Sequence, residues 1–244
     1  MSYRYDSDIP MVYGGWWVNQ SEAERTGISP VMLPFDRQTI LKEKLNAVFW
    51  FVSNCETQSK RELAVKKLSR FIPVDIFGKC SRNKADLNVC PEIGSDDCMR
   101  VLSQKYYFFI ALENTVCKDY ITEKYWNRYT FPSVPIVMRR KTYENHLPTN
   151  SFIAMDDFKS SKEMAAYLGF LMQNEERYME YFGWRSKGWA RPKWQSEGYR
   201  LGYCRLCEEL MKEVPLASRS TREIFDWFIN TSECEKDEFA RNWE

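Results

Sequence analysis

The chain has 244 residues, enough for one or two domains, and its 44% hydrophobic and 16% aromatic content is ample for a core. A formal net charge of +1 gives no bulk field for nucleic acid or a membrane surface. No stretch approaches the roughly 20 apolar residues of a membrane span, and the first residues do not read as a signal peptide.

Residues 1–46 read as a linker segment, broken by Gly14-Gly15, Pro30 and Pro34. A short helical turn is expected from Leu41 to Leu45. Ala47–Val52, rich in aromatic and β-branched residues, predicts a buried strand. Ser59-Lys60-Arg61-Glu62 has the spelling of a capping box, so a helix is expected to begin there, with Ala64, Leu68, Phe71 and Ile72 as its apolar stripe. Val74–Phe77 predicts the next strand, closed by Gly78, which completes a βαβ unit. Residues 79–104 are polar, cysteine-bearing and weakly periodic, and read as an insertion stapled by disulfides.

The apolar run Tyr106–Leu112 predicts a strand buried on both faces. A polar loop follows, from Glu113-Asn114-Thr115 to Asp119. A helical pattern starts at Tyr120 with Glu123, Lys124 and Asn127 in its first turns and stops near Phe131-Pro132-Ser133. Val134–Met138 is the next strand. Further on, a strand is expected at Ser151–Met155. A capping box at Ser160 and Glu163 precedes Met164, Leu168 and Leu171, and Asn174 is placed to cap one more helix ending near Tyr181-Phe182. Residues 183–198 are rich in Trp, Lys and Arg with little periodicity. A helix from Tyr199 to Met211 carries Cys204 and Cys207, and the tail beyond Pro215 is charged and poorly patterned. Alternating strands and helices predict an α/β fold with a mostly parallel sheet and helices on both faces.

In such sheets ligands bind beyond the carboxyl ends of the strands. Arg61 and Lys124 fall at predicted helix starts on that edge, where free N–H groups also favour a phosphate. Ser53 and Asn54 end their strand at the same edge. Glu123 is the carboxylate placed to meet sugar hydroxyls. Eight cysteines form an even set whose connectivity is open; Cys80, Cys90, Cys98 and Cys117 alone allow three pairings. Cys204-Arg205-Leu206-Cys207 reads as a redox dithiol, half a zinc site or a structural disulfide, with too few neighbouring ligands for zinc. The only histidine, His146, reads as a loop residue rather than a base. Asn19-Gln20-Ser21 and Asn230-Thr231-Ser232 are glycosylation sequons, compatible with a lumenal location.

The succession of Glu113-Asn114, Asp119-Tyr120-x-Thr122-Glu123-Lys124 and Val134-Pro135-Ile136-Val137 resembles the signature of the α-1,3/4-fucosyltransferases. Five further blocks resemble that family in order and spacing: Met1–Pro10 with Tyr13-Gly14, Phe51–Cys55 with Arg61, Val74–Cys80, Ser151–Phe158 and Tyr181–Trp184. The resemblance covers roughly Met1 to Cys207. It implies a GT-B glycosyltransferase of two Rossmann-like domains around a cleft. Residues 1–46 would then be a linker from a preceding acceptor domain, residues 47–212 the GDP-fucose-binding Rossmann-like domain, and residues 213–244 a tail packing back towards the other half. Because Met1 falls inside a family block, the Golgi anchor and the acceptor domain are expected to be absent from this chain.

By the same resemblance the reaction is transfer of L-fucose from GDP-fucose to an N-acetylglucosamine hydroxyl with inversion, on the lumenal side of the Golgi. The donor-binding residues would be Tyr13, Ser53, Asn54, Arg61, Asn114, Tyr120, Glu123 and Lys124, and Cys204 and Cys207 would form a disulfide. The general base would lie in the acceptor domain, so no catalytic residue is assigned here. With cations on the pyrophosphate no divalent metal or other cofactor is required. Asp6-Ser7-Asp8 has the spelling of a metal motif but lies in the linker and is not read as one. The partners implied are GDP-fucose and a glycan acceptor. The rival readings are a non-catalytic GDP-fucose binder and a disulfide-stapled interaction domain.

Overall fold

In this computed structural model the described residues are 1–14, 21, 24–25, 36–82, 96–187, 195–212 and 220–244. A single sheet contains β1 (Leu45–Phe51), β2 (Val74–Phe77), β3 (Tyr106–Ile110), β4 (Val134–Val137) and β5 (Ile153–Ala154). Its order is β2-β1-β3-β4-β5, and every neighbouring pair is parallel. The chain therefore moves outward from β1 to β2, then returns to place β3 on the other side of β1. That reversal leaves a crevice above the carboxyl ends of β1 and β3.

Strand alternation divides the core in two. Val48, Trp50, Phe108, Val134 and Ile136 face one layer, which holds Ala64, Val65 and Leu68 of α2 (Arg61–Leu68) and Met164, Leu168 and Leu171 of α6 (Ser161–Gln173). Ala47, Phe49, Phe109 and Val137 face the other. Packed there are Met99 and Leu102 of α3 (Asp96–Lys105), Tyr125 and Trp126 of α4 (Glu123–Trp126), and Tyr143 of α5 (Arg140–Tyr143). Helices thus cover both faces, as expected. Each fully buried large apolar side chain here contributes about 1.5–3 kcal/mol. At the amino end of the sheet, half-buried Lys44 ties the layers by donating to the carbonyls of Ser103 and Tyr106 at 2.8 and 2.9 Å and to that of Pro132. Burial, with Arg185 nearby, lowers its pKa to about 7, while the three carbonyls favour the ammonium form.

Several expectations are corrected. The turn expected at Leu41–Leu45 is instead α1 (Arg37–Leu41), because Asp36 accepts from the Gln38 and Thr39 amides. Helix α2 begins at Arg61, but Ser59 is not its cap. The Ser59 hydroxyl turns to the Glu113 carbonyl at 2.8 Å, and Lys60 takes the cap position in left-handed backbone. The helix ends at Leu68, so Phe71 falls outside the stripe and is 51% exposed. Part of the supposed insertion is helix α3, whose Cys98, Met99 and Leu102 are buried. Residues 83–95, with Cys90, lie outside the described set, as does Asn19.

Of the four cysteines Cys80, Cys90, Cys98 and Cys117, two pair outside the set. Cys80 bonds Cys55, Cys117 bonds Cys234, and Cys98 is also disulfide-bonded. Cys204 and Cys207 are free and exposed rather than joined. Both lie on α8 (Gln195–Leu210), where residues three apart hold their Cβ atoms about 5–6 Å apart, too far for a disulfide. Asn174 precedes α7 (Glu175–Met179) without a side-chain cap bond; its amide donates to Phe170 instead.

The tail is ordered by a full capping box at Ser220 and Glu223, which starts α9 (Thr221–Thr231), and ends in α10 (Glu238–Asn242). It packs on the sheet domain. Trp243 is buried and donates from its indole to Phe158 O at 3.0 Å, and Lys67 donates to Arg241 O at 2.8 Å. No helix among the described residues is long and apolar enough to cross a membrane.

Candidate functional site

Two loops meet above the β1/β3 crevice: residues 52–60, which lead into α2, and residues 111–122, which lead into α4. They are stitched together by Ser59, whose amide donates to Asn114 O at 3.0 Å and whose hydroxyl donates to Glu113 O at 2.8 Å. Arg61 lies beneath the seam, 3% exposed. It donates to Leu112 O at 2.5 Å and Asn54 O at 3.1 Å, and its guanidinium lies 5.5 Å from the Trp50 ring centroid. Burial lowers its pKa against the opposing pull of Glu113 and Glu62. Its Nε has no protein partner, nor does the buried Oδ1 of Asn114. Orphaned buried polar atoms are rare and call for a ligand or water.

Glu113 is the pivot of the second loop and is buried. Its carboxylate accepts from the Thr122 amide at 2.8 Å and the Thr122 hydroxyl at 2.8–2.9 Å, and pairs with Lys124 Nζ at 3.0 Å. Burial pushes its pKa up, opposed by Lys124 and Thr122. Lys124 also donates to Thr122 Oγ1 at 2.8 Å and Glu123 at 3.2 Å. It keeps 20% of its side chain in solvent, while Glu123 keeps 43%. Burial works to raise the Glu123 carboxyl, but Lys124 and local hydrogen bonds hold it below the usual range. The expected helix start at Tyr120 is corrected to Glu123, with Thr122 as its cap, and the helix is a single turn. Positive charge at this site therefore rests on Lys124 and Arg61 more than on a helix dipole.

Tyr120 stands at the rim, half-buried. Burial and the neighbouring Glu113 push its pKa up to about 12, so it remains a phenol and a hydrogen-bond donor. Tyr13 meets it edge-on, with centroids 6.2 Å apart, and Tyr3 does so at 5.0 Å. Gly14 makes this seat possible: a Cβ there would fall 2.0 Å from the Trp126 ring. Ser53 and Asn54 are exposed at the end of β1.

The structure thus gathers Tyr13, Ser53, Asn54, Arg61, Asn114, Tyr120, Glu123 and Lys124 around the crevice. Two of the Arg61 N–H groups go to carbonyls and are not free for a bidentate grip on a ligand. The structure adds Glu113, Thr122 and Trp50, which pattern reasoning did not assign to the site. A carboxylate directly after a fully apolar run was the signal available for Glu113. Cys204 and Cys207 belong to no site described here. Asn230 is exposed on α9, while Ser232 of its sequon is buried. Among the described residues, no group of three His, Cys, Asp or Glu side chains is placed to hold a metal ion.

The outer side of the second loop is clasped by both ends of the described chain. Val116 pairs with Glu235 as an antiparallel bridge, the Lys118 amide donates to Ser232 O at 2.8 Å, and Cys117 is bonded to Cys234. Fully buried Arg4 donates to Asp6, Thr231 and Ser232 and stacks over the Trp227 ring at 4.3 Å. Asp6 also binds Lys118 at 2.9 Å, so it is a structural counter-ion.

A family model described as "Glycosyltransferase family 10 (fucosyltransferase) C-term" matches residues 41–227. The chain is 39% identical over 186 residues to alpha-(1,3)-fucosyltransferase fut-1 of Caenorhabditis elegans, covering 76% of this chain and 40% of that protein. It is 33% identical over 248 residues to glycoprotein 3-alpha-L-fucosyltransferase A of Drosophila melanogaster, covering 99% and 44%. With the fucosyltransferase FUT6 of Pan troglodytes the identity is 35% over 231 residues, covering 93% and 56%. The chain spans about half the length of the curated relatives it matches. A crystal structure of an alpha1,3-fucosyltransferase with GDP-fucose superposes with a TM-score of 0.54 at 20% identity, over 74% of this chain and 51% of that one. At that identity the likeness speaks for the fold, a Rossmann-like domain of the GT-B kind.

Proposed function

The chain belongs to glycosyltransferase family 10, the fucosyltransferases, and we propose that its sheet domain is the donor half of an α-1,3-fucosyltransferase. In this reading GDP-fucose lies across the β1/β3 crevice and fucose passes, with inversion, to an N-acetylglucosamine-containing glycan. The observation that carries it is the cluster of buried Arg61 and Glu113 with half-buried Lys124 at the strand reversal, with Arg61 Nε and Asn114 Oδ1 both lacking a protein partner. A buried cation with an unused N–H beside an accessible ammonium suits a pyrophosphate.

The chemistry follows from these partners. The acceptor oxygen attacks the anomeric carbon of fucose as the bond to the pyrophosphate oxygen breaks, and the acceptor proton passes to a base. Negative charge collects on the leaving GDP, where preorganised Lys124, Arg61 and the Tyr120 hydroxyl act. A phosphate competes with Glu123 for Lys124, since Glu123 is the more exposed of its two carboxylates. Both site carboxylates are engaged by Lys124, so neither is a free base, and the base is expected from the acceptor half. Two cations already face the pyrophosphate, so this reading requires no divalent metal. The disulfides Cys55–Cys80 and Cys117–Cys234 favour an oxidising compartment and so support the lumenal, Golgi reading. If Asn230 carries a glycan, the sugar is attached before Ser232 is buried by folding.

Calorimetry with GDP tests the donor reading. Lys124→Ala and Arg61→Ala are each expected to weaken binding by about 1.5–3 kcal/mol, the scale of a charge-assisted hydrogen bond. Arg61→Ala should also lower thermal stability, because it strips partners from the Leu112 and Asn54 carbonyls. Equal affinity in wild type and both variants would remove the assignment. A binder that turns over with an added acceptor half is a transferase, and one that does not is a donor-binding protein only.

A further inference from the structure

Beside the second loop lies a cavity of about 510 Å³ whose walls include Tyr5, Asp119, Thr142, Asn145 and His146. Most of its charged groups are paired. Asp6 binds Arg4 and Lys118, Lys141 binds Glu235 at 2.7 Å, and His146 Nε2 lies 2.8 Å from Asp119 Oδ1. The chemistry of this place is therefore in its wall. Asp119 has φ of +62°, a left-handed conformation in which a non-glycine residue needs support from its surroundings. It has that support: the imidazole of His146 on Oδ1, the Tyr5 amide on Oδ2 at 3.2 Å, and the Ile121 amide on its own carbonyl at 3.0 Å. The His146 ring also stacks on Tyr5, with centroids 4.0 Å apart and planes 10° apart. One ring thus fixes both the backbone bend at Asp119 and the strand of linker that lies over it. The next residues along the chain are Tyr120, Thr122 and Lys124.

We propose that His146, acting through Asp119, is a positioning residue for donor binding: it holds the left-handed bend that aims Tyr120 and the Thr122–Lys124 corner into the crevice. This rests on the reading of residues 113–124 as the donor cradle. His146 touches none of the groups assigned to the donor, so its effect passes entirely through the loop. The bond from ring nitrogen to carboxylate, not the bulk of the ring, is the active element.

Two variants separate those roles. His146→Phe keeps an aromatic ring against Tyr5 and loses the nitrogen; His146→Gln loses the ring and keeps an N–H within reach of Asp119. Amide hydrogen exchange on the full 244-residue chain without ligand reads the bend directly, at Ile121 and Thr122, with Leu168 of α6 as a reference for global opening. GDP titration reads the consequence. In His146→Phe, exchange at Ile121 and Thr122 should rise about tenfold with Leu168 unchanged, and GDP should bind about tenfold more weakly. In His146→Gln both should return to within about twofold of wild type, as expected when the charge-assisted bond is the working contact. A His146→Phe chain that binds GDP like wild type overturns the proposal, whether or not its loop exchanges faster. So does a His146→Gln chain as impaired as His146→Phe, which would make the ring the cause. A wild-type chain that binds no GDP removes the donor reading and this proposal together, an outcome distinct from the other two.

Discussion

A guanidinium withdrawn from water needs acceptors around it, and Arg61 finds two in the carbonyls at the ends of β1 and β3. One side chain thereby sets the spacing of two loops that the sheet itself leaves unconnected. Glu113 makes the matching arrangement in reverse, a buried carboxylate held by Thr122 and Lys124. Such pairs do little for net stability but cost several kcal/mol when one member is removed. Asp6 illustrates the exposed version. The hydrogen bond from Arg4, aided by Lys118, holds its pKa at about 2, against an ordinary value of 3.8. A depressed carboxyl pKa stabilises the fold above the unfolded value and stops doing so as pH falls through the folded one. Unfolding midpoints should therefore be flat above about pH 4 on this account and decline between pH 4 and 2, by no more than about 1 kcal/mol, because Asp6 keeps 40% of its side chain in solvent. Asp6→Asn should lack that component of the decline, which a set of denaturation curves across pH would reveal.

At the scale of elements, the β1–β2 corner depends on one glycine. Gly78 has φ of +91°, and a Cβ there would fall 2.7 Å from the Val52 carbonyl oxygen. Gly78→Ala combines backbone strain with a clash against backbone that cannot rotate away, and is expected to destabilise by about 1–3 kcal/mol. Denaturant midpoints measured at constant m would show it. The strands and the long helices were legible in the sequence because their burial is periodic or continuous: Tyr106–Leu112 is apolar throughout, and Met164, Leu168 and Leu171 recur at helical spacing. The site was legible as a position, since strand ends and following helix starts locate the crevice. Its bonding was not. Ser59 has the spelling of a cap yet serves a loop more than 50 residues away, and nothing local distinguishes the two uses. Lys44 and Arg4 carried no signal of their roles, because the carbonyls that hold Lys44 and the hydroxyls of Thr231 and Ser232 that meet Arg4 come from distant parts of the chain. The tail beyond Pro215 is poorly patterned, and its docking depends on Cys234 meeting Cys117, which no spacing rule predicts.

For the molecule as a whole, that disulfide closes the largest loop among the described pairs, with a sequence separation of 117 residues. Removing a native cross-link of this kind typically costs about 2–5 kcal/mol. Cys234→Ser should fall in that range by thermal denaturation, and its GDP affinity should fall as well, because the bond anchors the outer side of the cradle. A variant that loses stability but keeps full affinity would show that the clasp serves the fold alone. The same bond has a consequence in time. A chain is made from its amino end at about 5–20 residues per second, so Cys117 emerges roughly 6–23 seconds before its partner exists. The sheet has all five strands by Ala154 and can collapse well within that interval, yet the cradle above it stays unsecured until Cys234 arrives. A chain cut short before Cys234 would keep the five strands but lose Ala240 and Trp243 from the core and leave the donor loop slack, so the residues that finish this core layer and the bond that secures the cradle arrive together.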